Sequence, residues 1–150
     1  MKIEPLILPP NDYSPALNVV DTNVTVLVSN ALTHSYEITL QSGDAGAGPP
    51  LHCHDWDESF YVLGGTIEFT CADKTELCRV GTLVHVPAGT LHSFRYGENG
   101  GEMLEFTGQN SLATQAFTAV SEAISSEPSD PTEIPYLVEV LNQNGVIVAA

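Results

Sequence analysis

The chain has 150 residues, and its 19 acidic against 4 basic side chains give a formal charge of −15, which repels nucleic-acid backbones and anionic membrane surfaces. One domain is expected at this length, with about two thirds of the unfolded surface buried. Three cysteines without a Cys-x-x-Cys spacing indicate neither a zinc ribbon nor a disulfide scaffold, early prolines interrupt any apolar leader, and no stretch reaches the ~20 apolar residues of a membrane span, so a cytoplasmic protein is expected.

Residues 1–22 read as an extended N-terminal segment punctuated by prolines, and Val24 to Val28 reads as the first good strand. Tyr36, Ile38 and Leu40 alternate with Glu37, Thr39 and Gln41, the period of a half-buried strand. A turn-rich loop then delivers the chain to His52. From Glu58 short strands are expected at Ser59–Leu63, Thr66–Cys71, Glu76–Val80, Leu83–Val86, His92–Tyr96 and Glu102–Thr107, with turns at Gly64-Gly65, Ala72 to Thr75, Pro87-Ala88-Gly89 and Gly97 to Gly101. A hairpin centred on Lys74 and Thr75 brings Cys71 towards Cys78, leaving a facing pair or two ordinary strand cysteines as alternatives. Strands this closely and regularly spaced predict an all-β sandwich or barrel over residues 23–108.

Residues 109–150 change character. Leu112, Ala116, Phe117, Val120 and Ile124 fall at helical spacing. Asp130-Pro131 looks like the start of a second helix carrying Ile134, Leu137, Val138 and Leu141 and closing near Gly145. Both helices are expected to cover a mouth or flank of the barrel, with the apolar tail from Val146 adding a strand or meeting a partner subunit.

The chemistry concentrates in two stretches. Residues of equal parity share a strand face, so His52 and His54 point together and Cys53 away, and His92 can meet them across a closed sheet. Imidazoles suit first-row transition metals, and a carboxylate such as Glu58 adds a hard, charge-neutralising ligand. The same parity turns Phe94 and Tyr96 inward with His92, and Phe60 and Val62 inward with Glu58. With Trp56 near the mouth, these residues describe an apolar pocket for a small organic molecule. Tyr96 is read as a hydroxyl that orients or protonates a bound ligand, or else as a barrel-core aromatic. His34 and His85 are read as ordinary polar residues, Asp55 and Asp57 as solvated loop acids, and Arg95 as outward-facing.

Gly46, His52, His54, Glu58 and Gly65 form one ordered pattern, and Gly81, Pro87, Gly89 and His92 a second. Together they resemble the paired signature of the cupin superfamily, and the whole chain is similar to its small, single-domain, quercetin-dioxygenase-like members. The family's usual Asn after the last His is Tyr96 here. The resemblance implies a double-stranded β-helix, or jelly-roll, barrel with one or two C-terminal helices. It implies one divalent transition metal (Fe, Mn, Ni, Co or Zn) on His52, His54, Glu58 and His92. It also implies a dioxygenase-like oxidoreductase with Glu58 and Tyr96 as catalytic residues, substrate contacts from Trp56, Phe60, Val62 and Phe94, and a homodimer. A non-catalytic small-ligand-binding cupin and an isomerase or lyase using the same metal are the alternatives.

Overall fold

The computed structural model describes residues 4–126 and 134–149. Among them, in chain order, are β1 (Leu17–Val19), β2 (Thr22–Val28), a single helical turn α1 (Asn30–Thr33), β3 (Glu37–Gly43), β4 (His52–His54), β5 (Glu58–Cys71), β6 (Lys74–Arg79), β7 (Leu83–Val86), β8 (His92–Thr107), α2 (Ala113–Ser126), α3 (Ile134–Gln143) and β9 (Val146–Val148). All strand pairs are antiparallel. The sheet runs β1-β2-β3-β8-β4-β9, and β5 joins it by pairing with β8, β7 and β6. It curls on itself into the expected jelly-roll barrel, which removes most open edges.

The two long strands make the curl. The first half of β5 pairs with the second half of β8, from Glu58 opposite Thr107 to Gly65 opposite Gly101; its second half pairs with the first half of β8, from Ile67 opposite Tyr96 to Cys71 opposite His92. Gly64-Gly65 and Gly97 to Gly101, expected to be turns between separate strands, are therefore corners inside continuous ones. Gly65 has φ +61°, and a Cβ there would lie 2.1 Å from the Gly100 carbonyl oxygen. Only glycine permits that backbone approach. The β5–β6 register sets Cys71 opposite Lys74 and Cys78 opposite Ile67, and all three cysteines are free thiols.

Inside the barrel, Phe60, Val62, Ile67, Phe69, Phe94, Tyr96 and Met103 form the core. Phe60 meets Phe69 and Phe94 at ring distances of 5.1 and 5.8 Å, pairings that each add about 0.5–1.5 kcal/mol beyond area burial. On β3 the alternation is as expected, but the buried side is the polar one. Glu37, Thr39 and Gln41 are 1–2% exposed, whereas Tyr36 is 48% exposed. Burying them costs little because each is bonded. The Glu37 carboxylate accepts from Ser111 Oγ (2.9 Å) and the Thr114 N–H (3.1 Å), and from the Asn30 N–H (3.1 Å). It thereby ties the first turn of α2 to the sheet.

The apolar stripe of α2 (Ala113, Ala116, Val120, Ala123) is buried and packs with Leu137, Val140 and Leu141 of α3. The expected start of the second helix at Asp130-Pro131 lies outside the described residues. β9 adds a strand to β4, with Val146 opposite His54 and Val148 opposite His52. No helix is long and apolar enough to cross a membrane among the described residues.

Candidate metal centre

Three imidazoles and one carboxylate converge at the barrel's inner wall. His52 sits opposite His92 in the β4–β8 register, His54 shares its face by strand parity, and Glu58 opens β5 opposite Val86 and Thr107. The ligating atoms of His52, His54 and His92 lie within 4.8 Å of one another. Glu58 Oε2 is 2.9 Å from both His54 Nε2 and His92 Nε2. The connecting loops are pinned to each other: the Gly89 N–H donates to the His54 carbonyl (2.8 Å), and the Ala88 N–H to Asp57 Oδ1 (2.9 Å). Asp57, read as a solvated acid, thus clips the Pro87-Ala88-Gly89 turn to the first histidine stretch. Arg95 faces outward and donates to the Pro49 and Phe94 carbonyls, bracing the loop before His52.

The donor set suits a metal ion. Each histidine has its Nδ1 within hydrogen-bond distance of a backbone carbonyl two residues away: His52 of Pro50 (2.8 Å), His54 of Trp56 (3.0 Å) and His92 of Thr90 (2.8 Å). A carbonyl only accepts, so each Nδ1 carries a proton, and with a metal bound each Nε2 would turn its lone pair to the centre. His92 Nε2 is buried, and its one close partner is the Glu58 carboxylate at 2.9 Å.

Charge follows the same geometry. Burial, then the neighbouring His92, lowers the His52 pKa to about 4, leaving that ring neutral and ready to ligate at pH 7. Burial alone would lower His92 too, but the Glu58 carboxylate beside it and the Thr90 carbonyl outweigh this and raise it. Glu58 is held well below the usual carboxylate range: burial pushes it up, yet hydrogen bonds with Glu105, His54 and His92 prevail. Glu105, 3% exposed, is driven well above that range by burial and by the Glu58 charge.

A cavity of about 90 Å³ opens from this centre towards the helices, with His52, His54, Glu58, Trp56, Phe60 and Phe94 at its metal end and Phe117, Val120 and Leu141 at the other. Trp56 is buried and stacked on His54, ring centroids 4.2 Å apart and planes 6° apart; Gly145, φ +84°, passes over its ring. Of the expected pocket residues, Trp56, Phe60 and Phe94 border the cavity, while Val62 lies in the core behind. Tyr96 points inward but packs on Gly43, where a Cβ would stand 2.3 Å from the ring. Burial pushes the phenol pKa up, against a hydrogen bond with Thr22. His34 and His85 are exposed; His85 pairs only with Ser59 (2.9 Å).

The wall also contains Thr22, Gln41 and Glu105, none of which the sequence reading singled out. Their only signal is polarity on strands whose other face is apolar, as in Met103-Leu104-Glu105-Phe106.

Residues 37–106 match the family described as Cupin domain. The chain is 35% identical over 79 residues to the quercetin 2,3-dioxygenase of Bacillus subtilis (strain 168), an alignment covering 52% of this chain and 23% of that enzyme. This chain therefore matches less than a quarter of that enzyme's length. Among solved structures, KdgF from Halomonas sp. superposes with a TM-score of 0.66 at 15% identity, covering 74% of this chain and 99% of that one. The polyketide cyclase RemF from Streptomyces resistomycificus superposes with a TM-score of 0.60 at 20% identity, covering 70% and 80%. At such identities the likeness speaks for the fold. With the barrel topology and both histidine stretches in place, residues 37–106 form a cupin domain.

Proposed function

We propose that this cupin is a metal-dependent, dioxygenase-like enzyme acting on a small uncharged organic substrate. The observation that carries the reading is the convergence of three Nε2 lone pairs and the Glu58 carboxylate at the closed end of an apolar cavity. His52, His54, Glu58 and His92 would hold one divalent ion, of iron, manganese, nickel, cobalt or zinc. Four ligands leave a position open in a five- or six-coordinate ion, which supplies Lewis acidity and, for a redox-active metal, one-electron chemistry.

The chain's own residues supply orientation, exclusion of water and proton handling. Trp56, Phe60 and Phe94 clamp the apolar body of a substrate and keep water from the centre. Glu58 lines the cavity and would take the proton of a substrate hydroxyl bound there. Tyr96 lies behind the wall, and the reading leaves the base role to Glu58 alone.

Charge and size narrow the substrate. The cavity wall includes Glu58 and Glu105, and no Lys or Arg borders it among the described residues, so a substrate carboxylate would meet repulsion uncompensated by any cation. At about 90 Å³ the cavity is smaller than the engineered one of about 150 Å³ that admits benzene, which favours a compact molecule over a three-ring flavonoid. The quercetin dioxygenase likeness supports oxygen chemistry on such a scaffold.

The test is oxygen consumption by metal-loaded protein with matched neutral and carboxylated phenols. The expected result is uptake with a neutral phenol and little with its carboxylate. Ligand-dependent thermal stabilisation without turnover would favour a binding protein instead. Product formation without oxygen uptake would favour an isomerase or lyase.

A further inference from the structure

We propose that Val20, at the tip of the β1–β2 hairpin, is the specificity-determining residue of the cavity mouth, limiting by its bulk which uncharged molecules reach Trp56 and the metal end. Val20 acts here on access alone, and its role rests on reading the cavity as a substrate site.

Burial locates the mouth. Among the described residues that line the cavity, only Val20 and Pro50 are exposed, and the others are buried or half-buried. A wall residue that also faces solvent stands where the cavity meets solvent, so these two mark its lips. Their chain neighbours Val19 and Pro49 line the wall as well and are half-buried. None of the four has a charged or hydrogen-bonding side chain, so what passes between the lips is selected by shape.

The two lips are held differently. On one side the Pro50 carbonyl accepts from His52 Nδ1 at 2.8 Å and the Pro49 carbonyl from Arg95, while Gly48 passes too close to the Phe94 carbonyl to admit a Cβ. That lip is fixed by the barrel wall itself. The other is a turn. Val19 pairs with Thr22, leaving Val20 and Asp21 as a two-residue hairpin turn with φ +50° and +65°. Turns with positive φ at both positions favour Asn-Gly, and a β-branched residue there is an outlier. Asn18 braces the turn: its Oδ1 accepts from the Asp21 N–H (3.2 Å), and its own N–H donates to Ser121 Oγ of α2 (3.3 Å). A bulky side chain is thus held at the mouth against its own backbone preference, and strain of this kind gathers where ligands are clamped or admitted.

Trp56 is the only tryptophan of the chain and borders the cavity at its metal end, so collisional quenching of its emission reads entry without metal, substrate or turnover. Acrylamide and the bulkier succinimide are the probes; both are uncharged, so the acidic surface does not repel them. Val20→Gly removes the lip and suits the positive φ. It should fold as wild type does and raise the succinimide quenching constant several-fold, with a smaller rise for acrylamide. Val20→Asn also tolerates that φ but keeps a side chain of comparable size, and its constants should match those of wild type. Wild-type constants in Val20→Gly would overturn the proposal. So would an equal proportional rise for both probes, the mark of general loosening, or a rise in Val20→Asn as large as in Val20→Gly, which would assign control to the backbone instead of the side chain. Oxygen uptake separates this proposal from the enzyme reading. The expected quenching pattern in a protein that consumes no oxygen would leave Val20 at the mouth and sink the dioxygenase, whereas an active enzyme with quenching unchanged in Val20→Gly would do the reverse.

Discussion

Tyr96 stands where cupins usually carry a short Asn, and the structure shows how the larger ring is seated. It lies against Gly43 and Gly101, at both of which a side chain would collide with it. The hydroxyl at its tip is buried and within reach of Thr22, so its removal costs at most one neutral hydrogen bond and relieves its desolvation. Tyr96→Phe is therefore expected to leave metal content unchanged and stability within about 1 kcal/mol, or slightly higher, by denaturant unfolding. Loss of turnover with metal and stability intact would return a catalytic role to that hydroxyl. Gly43→Ala, by contrast, should cost about 1–3 kcal/mol through overpacking.

Strand β3 and helix α2 show what was readable before the structure and what was not. The two histidine stretches were readable because ligand geometry demands particular residue types at fixed strand parity, and spacing survives in one dimension. Which face of β3 turns inward was not, because hydropathy favours Ile38 and Leu40 inside, whereas the barrel buries Glu37, Thr39 and Gln41. Their burial is stabilised by partners distant in sequence, Ser111 for Glu37 and Glu105 for Thr39, and such pairing leaves no local trace. The same holds for Glu105, an acid among apolar neighbours that looks solvent-facing until β3 is placed beside it. The corners at Gly65 and Gly100 read as turns because glycine marks both, and only the ladder continuing on either side distinguishes them. Helix α2 was correctly expected from its 3.6-residue stripe, but its anchor was not. Glu37→Ala should strip acceptors from Ser111 and the Thr114 N–H and cost about 3 kcal/mol, measured by denaturant unfolding. A loss under about 0.5 kcal/mol would show that apolar packing alone docks α2.

For the molecule as a whole, exposed surface and charge point to self-association. Exposed apolar side chains include Leu6, Ile7 and Ile147 on the terminal segments, and Tyr61, Leu83 and Phe106 on the outer sheet face. In a chain of net charge −15, copies can meet only where charge is sparse, and those sheet positions carry none. A homodimer is expected by light scattering at micromolar concentration, with Phe106→Glu shifting it towards monomer. A monomeric wild type would contradict this.

Metal content tests the site most directly. Purified protein reconstituted with a divalent transition metal and then desalted should carry close to one ion per chain by elemental analysis, and His52→Ala or His92→Ala should carry almost none while remaining folded. Wild-type protein that retains no metal, or a His52→Ala variant that retains as much as wild type, would contradict the site described here.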